Sequence, residues 1–137
     1  MSRTLRGLLL FALLVSLLAA CGPQQPLGAK ETADAYLRAM AARDYAAAHK
    51  LLSPDSQASV TAEDYEKMLT AASKDARISE VQINSVQDAV LSRNGFRATV
   101  SYSIALKTED GATTDVYNAL SLVLVNGQWG VIWPPVR

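Results

Sequence analysis

Apolar residues recur at two different periods along this chain, and the switch between them divides it into a helical first half and a strand-rich second half. Ala33, Tyr36, Leu37 and Met40 fall at i, i+3, i+4 and i+7, a single stripe along an α-helix. Tyr45, Ala48, His49 and Leu52 repeat that spacing, and Tyr65, Met68, Leu69 and Ala72 repeat it once more. Thr61 stands before the third stripe with Asp64 three residues on, a variant of the capping box that predicts where the helix starts. Ser53-Pro54-Asp55 reads as the end of the second helix.

Alternation takes over near Ile78. Val81 and Ile83 share one face while Val86 and Val90 share the other, so the change of phase near Asn84-Ser85 predicts a bulge or a strong bend. Phe96, Ala98, Val100, Tyr102, Ile104 and Leu106 then alternate with mostly polar neighbours, which predicts a long half-buried strand. Asp110-Gly111 marks a turn, residues 116–125 a third long strand, and Asn126-Gly127 a tight hairpin into residues 128–133, where Pro134-Pro135 stops the sheet. The order predicts an α+β domain, three N-terminal helices packed on a curved antiparallel sheet of about four strands. Ala119, Val123 and Val125 oppose Leu120, Leu122 and Leu124, so the end of the third strand is apolar on both faces. A homodimer or partner surface would account for this, as would cover by a neighbouring segment.

The N-terminus follows neither period. Arg3 and Arg6, the apolar residues 8–18, and the small pair Ala19 and Ala20 form the three-part layout of an export signal, and the apolar run is shorter than the ~20 residues of a spanning helix. Leu18-Ala19-Ala20-Cys21 resembles the processing site of bacterial lipoproteins at all four positions. The resemblance implies diacylglyceryl transfer to the Cys21 sulfur, cleavage between Ala20 and Cys21, and acylation of the new amino group. A thiolate is nucleophilic enough for the first step, and more than one acyl chain is needed for firm attachment. Cys21 is the sole cysteine, so no internal disulfide competes for it. An ordinary cleaved signal or an uncleaved anchor is the other reading of residues 1–20.

Residues 22–28, GPQQPLG, read as a linker that reaches at most ~25 Å. The expected organisation is therefore a signal peptide over 1–20, a lipidated tether over 21–28 and one domain over 29–137, held outside the cytoplasm at the membrane. Gly22 occupies the position where an Asp tends to retain lipoproteins in the inner membrane of Gram-negative cells, which leaves outer-membrane sorting open in such a host.

Without residues 1–20 the chain keeps 11 of its 13 Lys and Arg, since Arg3 and Arg6 go, against 13 Asp and Glu, for a net charge of −2. No basic cluster follows, so nucleic acid is not an expected partner. The expected partners are the membrane, through Cys21, and an envelope protein or a small ligand.

Helices followed by long bent antiparallel strands resemble the nuclear transport factor 2-like cone fold. The run from Tyr36 to Tyr45, YLRAMAARDY, looks like that fold's opening helix pair, with an Asp capping the second helix. The closing run Asn126-Gly127-Gln128-Trp129-Gly130-Val131-Ile132-Trp133-Pro134 looks like the last hairpin of the version at the N-terminus of penicillin-binding transpeptidases. Their nucleophile motif, Ser-x-x-Lys, is not carried over, because residues 27, 47, 64, 71 and 104, three before each lysine from Lys30 on, are Leu, Ala, Asp, Ala and Ile. The resemblance thus implies an accessory domain on a lipid anchor, with binding or interaction as its role.

The alternative is a small cone-fold isomerase or hydratase acting on an apolar ligand, which needs a carboxylate or His base beside tyrosines in a closed pocket. Tyr36, His49, Tyr65, Tyr102 and Asn118 are the candidate pocket residues. His49 is the single histidine, on the second helix's stripe; its plainer reading is a half-buried ring with one hydrogen bond, and one histidine excludes most zinc sites. Tyrosines at these spacings commonly pack their rings and send the hydroxyl to the rim. Asn118 shares parity with Leu120 and Leu122, which predicts an amide on the buried face, where it needs partners. Trp129, Val131 and Trp133 read as core, or as a glycan-stacking ledge if both indoles are exposed. No cofactor or metal is expected.

Overall fold

A computed structural model describes residues 27–134 of the 137; the expected signal peptide over 1–20, Cys21, the expected tether up to residue 26 and Pro135 lie outside the described residues. Among the described residues four helices precede five strands: α1 (Ala29–Ala41), α2 (Tyr45–Lys50), α3 (Pro54–Ser59), α4 (Ala62–Asp75), then β1 (Ile78–Val86), β2 (Val90–Leu91), β3 (Arg97–Thr108), β4 (Thr113–Val125) and β5 (Gln128–Val131). The sheet is antiparallel in the order β1-β3-β4-β5, and β2 pairs with β3 along the same edge as β1.

The first two helix stripes lie where their spacing places them; of the third, Tyr65 is buried and Leu69 half-buried, while Met68 and Ala72 are exposed. Ala33, Tyr36 and Leu37 of α1, Tyr45 and Ala48 of α2, and Tyr65 of α4 are buried together with Ala98, Val100, Leu120, Leu122 and Val131 of the sheet. Asp44 caps α2, its carboxylate accepting from the Ala47 N–H at 3.0 Å, and Thr61 caps α4 through the Asp64 N–H at 3.1 Å. Asp64 does not bond back to the Thr61 backbone; its carboxylate accepts from the Thr61 hydroxyl instead.

The helix count differs from the three expected. Ser53-Pro54-Asp55 ends α2 and at once starts α3, because Ser53 accepts from the Ser56 N–H as N-cap and Pro54 occupies the first helical position, where its missing N–H costs nothing. The connector is tied to the last strand: the Ser53 N–H donates to the Val131 carbonyl at 2.8 Å and the Val131 N–H to the Leu51 carbonyl at 2.9 Å. Gly130 permits that approach, since a Cβ there would stand 2.5 Å from the Ser53 Cα.

In the sheet, the phase change at Asn84-Ser85 is a register shift between Ile83 and Ser85 against β3. The Asn126-Gly127 hairpin has positive φ at both residues, 51° and 76°, as its tight turn demands. β4 starts at Thr113, three residues before the expected 116, and β5 ends at Val131, two before the expected 133. Val90 does not share the buried face of Val86; it is exposed on the edge.

Candidate functional site

Helix α4 buries only Tyr65 fully, so between its C-terminal half and the concave face of the sheet a cleft stays open. The cleft has a volume of about 500 Å³. Leu69 and Ala72 of α4, with Ala76 just past its end, face Val81 of β1 and Tyr102, Ile104 and Leu106 of β3 across it, while Tyr36, Leu37 and Met40 of α1 line the inner side with Trp133. Its lining contains no Asp, Glu, His, Lys or Arg; the only polar side-chain atoms it offers belong to Tyr36, Tyr45, Ser73, Tyr102 and Trp133. A polar depression of about 350 Å³ shares Tyr45, Ser73 and Ile78 with it and carries Arg43, Lys74, Glu66 and Glu109 at the mouth. The Arg43 guanidinium is held there by the Ile78 carbonyl, 2.6 Å away.

Two of the candidate tyrosines meet. The Tyr36 and Tyr65 hydroxyls are hydrogen-bonded at 2.7 Å in the core, and the Tyr65 hydroxyl also lies 3.7 Å from the Met40 sulfur. Burial pushes the Tyr36 and Tyr65 hydroxyls up from the ordinary tyrosine range, and burial alone does the same for Tyr102. All three therefore present neutral hydroxyls, donors and acceptors with no proton to give up near neutrality. Tyr36 and Tyr102 line the cleft; Tyr65 is fully buried behind it, so its place in the pocket is corrected to that of a support.

His49 lies outside the cleft lining. Its Nε2–H donates to the Val60 carbonyl at 2.8 Å, a pairing that assigns the proton to Nε2 because a carbonyl only accepts. The ring packs edge-on against Tyr65 with centroids 5.6 Å apart, and Tyr65 in turn packs edge-on against Trp133 at 5.4 Å. The row His49, Tyr65, Trp133 braces the back of the cleft.

Asn118 is a correction to the expected buried amide. It lies opposite Tyr102 in register and so on the same side of the sheet, yet it is exposed; its side-chain oxygen accepts from the Ala119 N–H at 2.8 Å. Trp129 and Trp133 are each partly buried against the core, as their reading as core residues expects. What sequence reasoning missed is the α4 side of the cleft, Leu69, Ala72 and Ala76. The signal was present in the third stripe, whose width exceeds what a single buried Tyr65 uses.

Among solved structures, the chain is similar to a SEC-C motif protein from Psychrobacter arcticus, with 16% identity, a TM-score of 0.57, and coverage of 87% of this chain and 66% of that one. It is similar to TerC co-crystallised with polyporic acid at 13% identity and a TM-score of 0.52, over 74% of this chain and 88% of that one. Aln2 from a Streptomyces species shares 14% identity at a TM-score of 0.50, over 73% of this chain and 80% of that one. At these identities the likeness is one of fold. No curated protein sequence matches the chain. The model of one protein family matches residues 28–136, which span all three helix stripes, the cleft and the closing tryptophan hairpin. The chain belongs to the family of NTF2-like N-terminal transpeptidase domains.

Proposed function

We propose that this chain is a lipoprotein of the bacterial cell envelope, anchored at the membrane through Cys21, whose domain binds without catalysing. Its ligand is a small envelope molecule with an apolar body that fills the cleft and a polar end that reaches Arg43 and Lys74. The observation that carries the reading is the lining of the cleft, mostly apolar and without a carboxylate, an imidazole or a cationic side chain. The placement of His49 supports it as well, since the ring is occupied by Val60 and lies outside the lining. No helix among the described residues is long and apolar enough to cross a membrane.

Two measurements test the proposal. Metabolic labelling with an alkynyl fatty acid reads the anchor: a labelled chain that loses its label in Cys21→Ser is expected, and an unlabelled wild-type chain refutes anchoring. Titration of the full chain with an apolar fluorophore reads the cleft. Leu106→Glu, at a half-exposed lining position, is expected to abolish binding while His49→Asn retains it. Binding that survives Leu106→Glu and disappears with His49→Asn refutes the cleft as the site.

A further inference from the structure

The β2–β3 hairpin carries exposed apolar side chains on both faces, Leu91 on the side of Ala98 and Val90 on the side of Thr99, and the core does not account for them. Val90 is 71% exposed, Leu91 56% and Phe96 58%. These residues are held outward by a tip that is knitted internally: the Asn94 side-chain oxygen accepts from the Ser92 hydroxyl at 2.7 Å and from the Phe96 N–H at 3.2 Å, and Gly95 turns the chain at φ +73°. Arg93 and Arg97 flank the tip and are exposed.

The hairpin lies at the end of the domain from which the N-terminal segment departs. Lys30, in the first turn of α1, is ion-paired at 2.6 Å with Asp88, two residues before β2. On the other side the Leu124 N–H donates to the Phe96 carbonyl at 2.8 Å, Leu124 pairs with Trp129, and Trp129 shares a shallow depression with Leu27 and Lys50. Leu27 is itself 49% exposed. Twenty-six residues precede it, among them the apolar run 8–18 and Cys21.

We infer that this hairpin docks on the membrane, with Val90, Leu91 and Phe96 entering the interface and Arg93 and Arg97 meeting anionic headgroups. The occupant is a lipid surface because the tether brings one there: residues 22–28 span at most ~25 Å from Leu27's end of the domain. Arginines beside apolar side chains match an interface of phosphates over acyl chains. Docking gives the domain a fixed orientation, with Cys21 and the hairpin as two points of attachment. The inference rests on the anchoring proposed above.

The test uses the full chain carrying Phe96→Trp, reconstituted in vesicles of equal parts phosphatidylcholine and phosphatidylglycerol, with and without bromine on the acyl chains. The expected result is a shift of emission to shorter wavelength on reconstitution and a loss of emission with brominated lipid, both beyond the wild-type background from Trp129 and Trp133. Adding Leu91→Asp should abolish both. The unmodified chain gives a second readout, protection from trypsin at Arg93 on vesicles and cleavage in detergent. Emission that stays at the wavelength of a water-exposed indole and ignores bromine overturns the inference, as does cleavage at Arg93 on vesicles. Fatty-acid labelling of the same samples separates the two claims: a labelled chain without quenching refutes the docking alone, and quenching in an unlabelled chain refutes the anchor alone.

Discussion

Replacing Gly130 with Ala should unfold this domain far more readily than its single added methyl suggests. The new Cβ would stand 2.5 Å from the Ser53 Cα, 2.7 Å from the Ser53 nitrogen and 3.1 Å from the Leu52 carbonyl carbon, and all three are backbone atoms. Carbon atoms settle at ~3.5–4.0 Å, so β5 or the α2–α3 connector must retreat by about 1 Å. That motion stretches the two hydrogen bonds joining Val131 to Leu51 and Ser53, which are 2.9 and 2.8 Å long. Overpacking costs about 1–3 kcal/mol and each of the two hydrogen bonds lost about as much again, so the sum is at least about 3 kcal/mol. At about 4 °C per kcal/mol for a domain of this size, thermal unfolding followed by circular dichroism should shift down by more than about 12 °C. Gly127→Ala is the control: nothing lies within 4 Å of its Cβ, but its φ of +76° makes the change cost only about 1–2 kcal/mol. A Gly130→Ala chain that melts no lower than Gly127→Ala would refute the reasoning.

Ser56→Ala removes the hydroxyl that accepts from the Trp133 N–H at 2.9 Å and from the Ser53 hydroxyl, so denaturant titration should show a loss of about 1–3 kcal/mol. Alkaline titration should destabilise the fold: the Tyr36 and Tyr65 hydroxyls are raised above their ordinary 10.0, so the stability they contribute is complete below that pH and is lost as pH climbs above it. Melting temperatures measured at increasing alkalinity should fall less steeply in Tyr36→Phe. Asn118→Ala, at an exposed position bonded only to its own neighbour, should leave the melting curve within about 0.5 kcal/mol of wild type.

Much of the fold was legible because it depends on period. The stripes of α1 and α2 and the phase change at Asn84-Ser85 are statements about neighbouring residues, and each is where its spacing places it; the stripe of α4 holds for Tyr65 and Leu69 and leaves Met68 exposed. The Asp44 cap and the Asn126-Gly127 turn were legible for a similar reason, since each is a local bond or a local φ requirement. Ser53-Pro54-Asp55 was only half legible: the residues that stop one helix are also those that start the next, and the choice depends on Val131 waiting to receive the Ser53 N–H.

The site was decided by the tertiary structure. Parity assigned Asn118 correctly to the side of the sheet that Tyr102 shares, but whether a side of a strand is buried depends on a segment that comes to cover it, and Asn118 is exposed. In the same way Leu69, Ala72 and Leu106 line an open cleft in place of a closed core. His49 carried the chemistry a base needs, and folding handed its ring to the Val60 carbonyl and the Tyr65 edge. By itself the sequence determined which residues share a face and where the chain turns, because those follow from bonds and sterics within a few residues. Only the tertiary structure decided which faces are covered and which side chains converge, because burial comes from segments far apart in the chain.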